Sequence, residues 1–242
     1  MEAIKTENLT KKYKSLTAVD NINLTVNEGE LFSLLGVNGA GKTTTIKMLT
    51  TLTSPTQGDA VILGKRLSTE SAEIKPFIAI SPQETAVAPH LTARENLRLI
   101  CGVYGLDREK SERRISKIIT QLKLEPVIDR RASKLSGGWQ RRLSIAMALI
   151  SQPKILFLDE PTLGLDVLAR SDTWDIIRSL KGKTTIILTT HYMEEAEALS
   201  DRIAIMKDGK ILRCDTAEAI KKSVGAKSLE EAFISIVKGV EI

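Results

Sequence analysis

Short runs of apolar residues alternate along the chain with segments in which apolar residues recur at helical spacing. The runs begin with Leu31–Leu35 and continue at 77–80, 155–158 and 184–190. An unbroken apolar run predicts a strand buried on both faces, and such strands separated by helices are typical of a parallel sheet. The pattern therefore predicts an α/β fold with a mostly parallel sheet.

The two ends of the chain show a different pattern. Residues 1–30 alternate between apolar and polar positions, which predicts an N-terminal antiparallel β subdomain. Near the other end, Asp208 and Gly209 separate two short strand patterns at 202–206 and 210–214. Because Asp-Gly is a strong turn signal, we expect these two strands to form a hairpin.

A helical segment interrupts the strand pattern. Residues 85–136 lack strand runs, and Thr92 with Glu95 fits a capping box at a helix start. Farther on, the spacing of apolar residues from Leu143 to Ile150 predicts a helix with one buried face. We predict one domain over 1–242, with a core of 1–84 and 152–242 and an inserted helical subdomain at 85–151.

A glycine-rich loop follows the first buried strand. The residues from Gly36 to Thr43 read Gly-Val-Asn-Gly-Ala-Gly-Lys-Thr, which fits the phosphate-binding P-loop pattern. Glycines allow backbone N–H groups to curl around phosphate oxygens, and the following helix points its positive end at the same anion. We expect Lys42 to reach the β- and γ-phosphates of a nucleotide and the Thr43 hydroxyl to ligate Mg²⁺.

An acidic pair ends the apolar run at 155–158. Asp159 and Glu160 come directly after this strand, where open α/β sheets bind their ligands. We expect Asp159 to hold Mg²⁺ through water and Glu160 to polarise the attacking water as a general base. The loop and the acidic pair together indicate a P-loop NTPase core, and kinases, helicases and GTPases remain open at this point.

A third motif narrows the class. The residues from Leu135 to Arg142 read Leu-Ser-Gly-Gly-Trp-Gln-Arg-Arg, and this segment resembles the LSGGQ signature of the ABC ATPases. Trp139 stands where many members of that family have glutamine. Ser136 and the two glycines begin a helix, which makes a second anion site. The resemblance covers nearly the whole chain and implies a head-to-tail dimer, in which each ATP lies between one P-loop and the partner's signature.

The resemblance also implies roles for isolated residues. Gln83 is similar to the Q-loop glutamine, which touches Mg²⁺ and reports to the membrane subunit. His191 is similar to the switch histidine that contacts the γ-phosphate, and Asp166 to the D-loop aspartate at the dimer interface, although Leu-Gly replaces the usual Ser-Ala before it. Tyr13 resembles the aromatic residue that stacks on adenine.

The predicted site residues fall into three groups. The catalytic residues are Glu160, His191 and Gln83, and the Mg²⁺ ligands are Thr43, Gln83 and Asp159. The ATP-binding residues are Tyr13, Gly36, Asn38, Gly39, Ala40, Gly41, Lys42, Thr43, Thr44, Ser136, Gly137, Gly138 and Asp166.

The composition of the chain excludes some kinds of site and segment but does not by itself indicate a function. The net charge of +5 fits either a well-solvated surface or an anionic partner, which could be nucleic acid or a membrane face. Cys101 and Cys214 are too few for a zinc site and fit a reducing compartment. The N-terminus lacks the apolar core of a signal peptide, and no apolar run is long enough to span a bilayer.

The resemblance implies a transporter motor. We expect an ATPase subunit that dimerises around two ATP and drives a membrane permease on a separate chain, at the cytoplasmic face of the membrane. The segment 189–197 and the ending at 228–233 resemble exporter motors for drugs, polysaccharides or sodium. The alternatives are an importer motor or a soluble ABC ATPase acting on ribosomes or DNA. With one cassette and no room for a coiled-coil insertion, we expect no nucleic-acid partner.

Overall fold

The computed structural model describes residues 1–239. The strands are β1 Glu2–Tyr13, β2 Leu16–Ile22, β3 Thr25–Asn27, β4 Leu31–Leu35, β5 Gln57–Ile62, β6 Lys65–Arg66, β7 Ile78–Ser81, β8 Ile155–Asp159, β9 Thr185–Thr190, β10 Arg202–Lys207 and β11 Lys210–Asp215. The α-helices are α1 Lys42–Leu49, α2 Ser71–Ile74, α3 Ala93–Val103, α4 Arg108–Gln121, α5 Gly137–Leu149, α6 Val167–Leu180, α7 Met193–Leu199, α8 Ala217–Ser223 and α9 Leu229–Lys238. Short 3-10 helices lie at Lys75–Phe77, Glu125–Val127 and Ala132–Lys134.

The chain divides into two compact units. The first comprises Met1–Lys75 and the chain from Lys181 onward, and the second is Pro76–Leu180. The predicted helical subdomain at 85–151 falls within the second unit, together with β7, β8 and α6. The P-loop and His191 fall within the first unit.

Two sheets build the first unit. In one of them, β4 lies between β9 and β10 and is parallel to both, and β11 pairs antiparallel with β10. The other sheet is antiparallel and places β1 between β2 and β5, with β3 and β6 at its margins. All five residues of β4 are buried, as expected for a central parallel strand covered on both faces.

The last helices of the first unit cover the end of β4. Leu35, Ile203 and Ile205 from the parallel sheet share an apolar cluster with residues of α7, α8 and α9. Phe233 is buried in this cluster. The helix α9 begins at Ser228, whose hydroxyl accepts a hydrogen bond from the Glu231 backbone N–H at 3.1 Å. The C-terminal segment therefore packs beside the strand that leads into the P-loop.

The second unit joins a parallel strand pair to helices. The strands β7 and β8 are parallel and in register from Ile78 with Ile155 to Ser81 with Leu158. Between them in sequence lie α3, α4 and α5, and α3 and α4 both contact α5. The capping box predicted at Thr92 is present, since its hydroxyl accepts from the Glu95 N–H and the Glu95 carboxylate accepts from the Thr92 N–H.

The observed elements confirm the predicted fold class. The parallel strands lie within one residue of the predicted runs, the N-terminal segment is antiparallel, and Asp208-Gly209 turns between β10 and β11. The sequence analysis missed β5 and β6, which extend the antiparallel sheet. Only Ala60 and Ile62 are buried on β5, so its alternation is too short to stand out.

Two further expectations concern the cysteines and the membrane. Cys101 is buried and Cys214 is half-buried, and burial raises the pKa of both thiols. A raised pKa favours the unreactive thiol form, which fits a structural role. Across residues 1–239, no helix has the length and apolar content needed to cross a bilayer.

A buried amide holds the loop that precedes α3. Asn96 is fully buried, and its side-chain oxygen accepts from the Ala88 N–H at 2.7 Å. Its side-chain nitrogen donates to the carbonyls of Ala88 at 3.1 Å and Thr92 at 2.9 Å. The carbonyls of Ala88 and Thr92 also accept from the backbone N–H groups of Leu91 and Asn96, so the Asn96 side chain adds further bonds that tie residue 88 to the start of α3.

We expect Asn96→Ala to lower the melting temperature by about 4–8 °C, because loss of these bonds costs about 2 kcal/mol. The measurement is thermal unfolding followed by circular dichroism. The exposed Asn27 at the end of β3 provides the matched control, and Asn27→Ala should leave the melting temperature nearly unchanged. Equal melting temperatures for the two variants would show that the Asn96 bonds do not hold the loop.

Candidate nucleotide-binding site

The P-loop connects the buried strand β4 to α1, and two of its glycines are required by close contacts. A Cβ atom at Gly36 would lie 2.6 Å from the Met206 carbonyl oxygen. A Cβ atom at Gly41 would lie 2.6 Å from the Ala18 carbonyl oxygen, and Gly41 has a φ of +105°. Neighbouring backbone therefore fixes both ends of the loop, and no larger residue fits there.

Lys42 is turned inward under this loop. Its side chain is withdrawn from solvent, with 5% of the residue exposed, and its ammonium donates to the carbonyls of Gly36 at 2.7 Å and Val37 at 3.3 Å. Val37, Asn38 and Gly39 are exposed on the outer side of the loop. A buried cation beneath an exposed turn, at the start of a helix, is an arrangement that attracts phosphate.

The rest of the predicted phosphate site lies on the same segment. Thr43 and Thr44 are half-buried in the first turn of α1. Ala40 is buried, and its carbonyl accepts a hydrogen bond from the Gly209 N–H at 3.1 Å. The β10–β11 turn thus supports the loop from outside, which the sequence pattern did not indicate.

The parallel sheet brings His191 to the P-loop. Thr190, the last residue of β9, is in register with Leu35, and its carbonyl accepts from the Gly36 N–H at 3.3 Å. His191 follows at once and is half-buried, with its ring centroid 4.1 Å from that of Tyr192. The structure therefore places the predicted switch histidine directly after the strand that adjoins the loop.

Tyr13 lies on the hairpin that supports the loop. It is the last residue of β1, pairs with Leu16 and is exposed. The Lys11 ammonium lies 5.1 Å from its ring centroid. The partner strand β2 carries Ala18, whose carbonyl lies against Gly41. Tyr13 is thus an accessible aromatic on an element that contacts the P-loop, and its role as an adenine platform remains a prediction.

The acidic pair lies in the second unit. All residues of β8 are buried, and Asp159 and Glu160 at its end are buried as well. Glu160 has a φ of +50°, a left-handed conformation that is uncommon for a residue with a side chain. Eight other non-glycine residues of the described chain share such a φ, so this conformation alone does not mark Glu160 as functional.

An arginine of the signature helix holds the segment that contains Gln83. The Arg141 guanidinium donates to the carbonyls of Pro82 at 2.6 Å and Gln83 at 2.5 Å. Arg141 is buried, whereas Gln83 is exposed. The backbone of the Q-loop is therefore fixed while its glutamine side chain faces outward. No local sequence pattern indicates this contact, which we call the Arg141 clamp.

The signature motif begins α5. Ser136 is the N-cap residue in extended conformation, as predicted, but its side chain makes no capping hydrogen bond within the described chain. Ser136 and Gly137 are exposed. A Cβ atom at Gly138 would lie 2.8 Å from the Ala169 Cβ atom, so this glycine permits close packing of α5 against α6. The start of α5 at Ser136 and Gly137 is therefore accessible to solvent.

Asp166 begins α6. Its carboxylate accepts a hydrogen bond from the Ala169 N–H at 2.9 Å, and its carbonyl accepts from the Arg170 N–H at 2.9 Å. This is an N-cap contact, which stabilises the helix start. The adjoining Val167 and Leu168 are strongly exposed. The predicted place of Asp166 at a dimer interface stays a prediction.

A glycine loop between a buried parallel strand and a helix, with a buried lysine beneath it, defines a P-loop NTPase. Residues 19–163 match the family described as ABC transporter. The chain belongs to the ABC transporter ATP-binding family and is an ATPase.

Comparison with individual proteins supports this assignment. The chain is 38% identical over 229 residues to the daunorubicin resistance ATP-binding protein DrrA2 of Streptomyces coeruleorubidus, covering 94% of this chain and 71% of that protein. It is 40% identical over 227 residues to the phospholipid-transporting ATPase ABCA3 of Homo sapiens, covering 92% of this chain but only 13% of that protein.

A solved structure has the same fold. It is described as a dimeric, post-hydrolysis state of the ATP-binding cassette MJ0796 bound to ADP and Pi. Its TM-score is 0.79 at 30% sequence identity, and the alignment covers 88% of this chain and 98% of that one.

We expect Arg141→Lys to loosen the Q-loop segment, because an ammonium cannot donate to two carbonyls with the fixed geometry of a guanidinium. Amide hydrogen exchange in residues 82–88 should become about tenfold faster, since a charged hydrogen bond contributes about 1.5 kcal/mol. The measurement is hydrogen exchange read by mass spectrometry.

Arg114 provides the matched control for this experiment. It lies on α4 and donates to the Ile150 carbonyl at 2.9 Å, which is the same kind of bond at another place in the same unit. Arg114→Lys should leave exchange at 82–88 unchanged. Equal exchange in that segment for the Arg141→Lys and wild-type proteins would contradict the clamp.

Proposed function

We propose that this chain is the ATP-hydrolysing motor subunit of an ABC transporter. Two copies close head-to-tail around two ATP and drive a separate membrane permease, and the transport direction is export. The main observation behind the proposal is that the same chain has a formed P-loop and a signature motif that is exposed to solvent. Ser136 and Gly137 face solvent at a helix start, and the hydroxyl makes no bond to its own helix.

ATP binding begins at the P-loop. The Lys42 ammonium offsets negative charge on the β- and γ-phosphates, the loop N–H groups donate hydrogen bonds to them, and α1 adds its positive end. Tyr13 offers an accessible ring for the adenine. The Lys42 ammonium donates to Gly36 and Val37 carbonyls, so nucleotide phosphates would take over these contacts.

The donor set fits Mg²⁺. The hydroxyl of Thr43, the buried carboxylate of Asp159 and the amide oxygen of Gln83 are hard oxygen donors of the kind that Mg²⁺ prefers. The described residues include no group of three or more His, Cys, Asp or Glu able to hold a metal. When bound, Mg²⁺ neutralises charge on the phosphate oxygens.

Hydrolysis requires a group that orients water. We assign this role to Glu160, which is buried directly after the end of β8. His191 contacts the γ-phosphate from the end of β9. Gln83 reports the presence of the nucleotide to the permease, and the Arg141 clamp keeps its backbone in place while its side chain stays accessible.

Dimer formation completes each ATP site. The signature residues Ser136, Gly137 and Gly138 of one copy bind the γ-phosphate held by the other copy's P-loop, and Asp166 lies at the interface. The γ-phosphate adds contacts across the interface, so ATP binding closes the dimer and hydrolysis opens it. The dimeric cassette to which this chain is similar supports this part of the proposal.

The permease contact lies on the helical part of the second unit. Leu99, Val103 and Tyr104 near the end of α3 are exposed, Val103 at 74%. Exposed large apolar side chains close together mark an interaction surface. We assign residues 85–105 to the contact with a cytoplasmic helix of the permease, which makes the protein peripheral to the membrane at its cytoplasmic face.

Export is favoured over the alternatives by the relatives. DrrA2 is a resistance protein for daunorubicin by name, and ABCA3 is phospholipid-transporting by name. Both names denote transport or resistance rather than action on ribosomes or DNA. The chain's own cargo is selected by the membrane chain in this proposal, so the motor residues do not encode it.

We expect Glu160→Gln to bind ATP and stop hydrolysis, because the amide cannot accept the proton of the attacking water. The variant should then accumulate as an ATP-bound dimer. The measurement is light scattering with saturating Mg-ATP, beside an assay of phosphate release.

Two further variants distinguish the role of the P-loop from the role of the signature motif. In the Glu160→Gln background, Lys42→Ala should lose ATP binding, whereas Ser136→Arg should bind ATP and remain a monomer. A Glu160→Gln protein that binds ATP but stays monomeric would contradict the head-to-tail dimer. Loss of ATP binding by the Ser136→Arg monomer would contradict the role of the signature in the partner's site.

We expect the wild-type chain to capture a polytopic membrane protein from detergent-solubilised membranes of its native host. A charge-neutral change of the proposed docking surface, Val103→Ser with Leu99→Ser, should abolish capture and leave ATP hydrolysis intact. The measurement is affinity purification followed by mass spectrometry. Ribosomal proteins or DNA in place of a membrane protein would contradict the transport function but leave the ATPase assignment intact.

A further inference from the structure

The residue that departs from the usual signature is part of a side-chain stack. The Arg142 guanidinium lies over the Trp139 ring, with the carbon Cζ 4.4 Å from the ring centroid. The same guanidinium forms an ion pair with Asp172 at 2.7 Å. Trp139 and Arg142 belong to α5, the signature helix, whereas Asp172 belongs to α6. We call these three residues the signature stack.

The signature stack joins two helices that both begin at functional segments. Ser136 directly precedes α5, and Asp166 directly precedes α6 and caps it with its carboxylate. At this crossing, Gly138 packs so closely on Ala169 that a Cβ atom would lie 2.8 Å from the alanine methyl. The stack lies one turn farther along each helix and ties together the same two segments.

The ion pair alone is a weak connection. The Asp172 side chain is 63% exposed, and ion pairs with exposed partners contribute little because water screens them. The Arg142 side chain, in contrast, is only 11% exposed. The indole face holds the guanidinium in one orientation, and a cation over an aromatic face is attracted by the ring quadrupole. Arg142 is therefore in contact with both the Trp139 ring and the Asp172 carboxylate.

We propose that Trp139 is a positioning residue for ATP hydrolysis. Through Arg142 and Asp172 it sets the signature residues at the start of α5 in a fixed relation to α6 and Asp166. The inference rests on the proposed function, because the signature acts on the nucleotide of a second copy. Misplacement of binding groups by about 1 Å costs much of the rate in such sites.

The chain contains a second stack that serves as a control. The Arg178 guanidinium lies 5.8 Å from the Trp174 ring centroid and pairs with Asp175 at 3.2 Å. All three of these residues lie on α6, so this stack places the same chemistry within one helix. Trp139 and Trp174 are the two tryptophans of the chain.

The test compares steady-state ATP hydrolysis by Trp139→Gln, Trp139→Phe, Asp172→Asn and the double variant Trp139→Gln/Asp172→Asn. We expect kcat to fall about threefold or more in Trp139→Gln and in Asp172→Asn. A fall of this size corresponds to the free energy of one lost cation–π contact. The KM for ATP should stay unchanged, because the P-loop is untouched. The double variant should be no slower than the slower single variant.

Two variants separate positioning from a general effect on folding. Trp139→Phe retains an aromatic face and should retain most of the wild-type kcat, while Trp174→Phe should match the wild type. Multiplicative losses in the double variant would overturn the proposal, as would equal losses in Trp139→Phe and Trp139→Gln. An unchanged kcat in Trp139→Gln would overturn it as well.

A spectroscopic readout separates this inference from the proposed function. In the Trp174→Phe background Trp139 is the single tryptophan, and its emission reports the guanidinium contact without any nucleotide. Asp172→Asn should shift this emission and raise its quenching by acrylamide, whereas Asp175→Asn should not. An unchanged emission overturns the stack even if the protein hydrolyses ATP. A wild-type protein without ATPase activity overturns the proposed function and the role of Trp139 in hydrolysis, while a shifted emission still supports the stack itself.

Discussion

The burial of one positive charge determines how the first unit is built. An ammonium withdrawn from water is costly unless polar groups surround it, and Lys42 has the carbonyls of Gly36 and Val37 as partners. Those carbonyls are in place because the loop is fixed on both sides by backbone of the flanking strands. The buried strand β4, its parallel neighbours and the C-terminal helices all support this one turn.

The second unit buries Asp159 and Glu160 but keeps Gln83 and the start of the signature helix exposed. Arg141 fixes the backbone around Gln83 and leaves the side chain exposed. Gly138 lets α5 pack closely against α6, and the Asp166 carboxylate caps the start of α6. A motor that closes on a second copy needs rigid elements whose binding groups stay exposed to the partner. In this unit the backbone at Gln83 is held in place, and the start of α5 is exposed.

The local parts of this site could be predicted from the sequence. The P-loop, the acidic pair and the signature each depend on residues adjacent in the chain, and the buried strands before them show as apolar runs. The Arg141 clamp joins residues 58 positions apart, and no local pattern marks such a contact. The same holds for the pairing of Arg142 with Asp172, which gives the unusual Trp139 a physical role. The short strand β5 was missed because tertiary pairing, not periodicity, makes it a strand.

The central claim is that each ATP lies between the P-loop of one copy and the signature of another. The most direct test places cysteines at Asn38 and Ser136 of the Glu160→Gln chain and adds a short thiol crosslinker with Mg-ATP or Mg-ADP. The account predicts a covalent dimer with ATP and little with ADP. A crosslink formed within a single chain, or a dimer formed equally with both nucleotides, would contradict it.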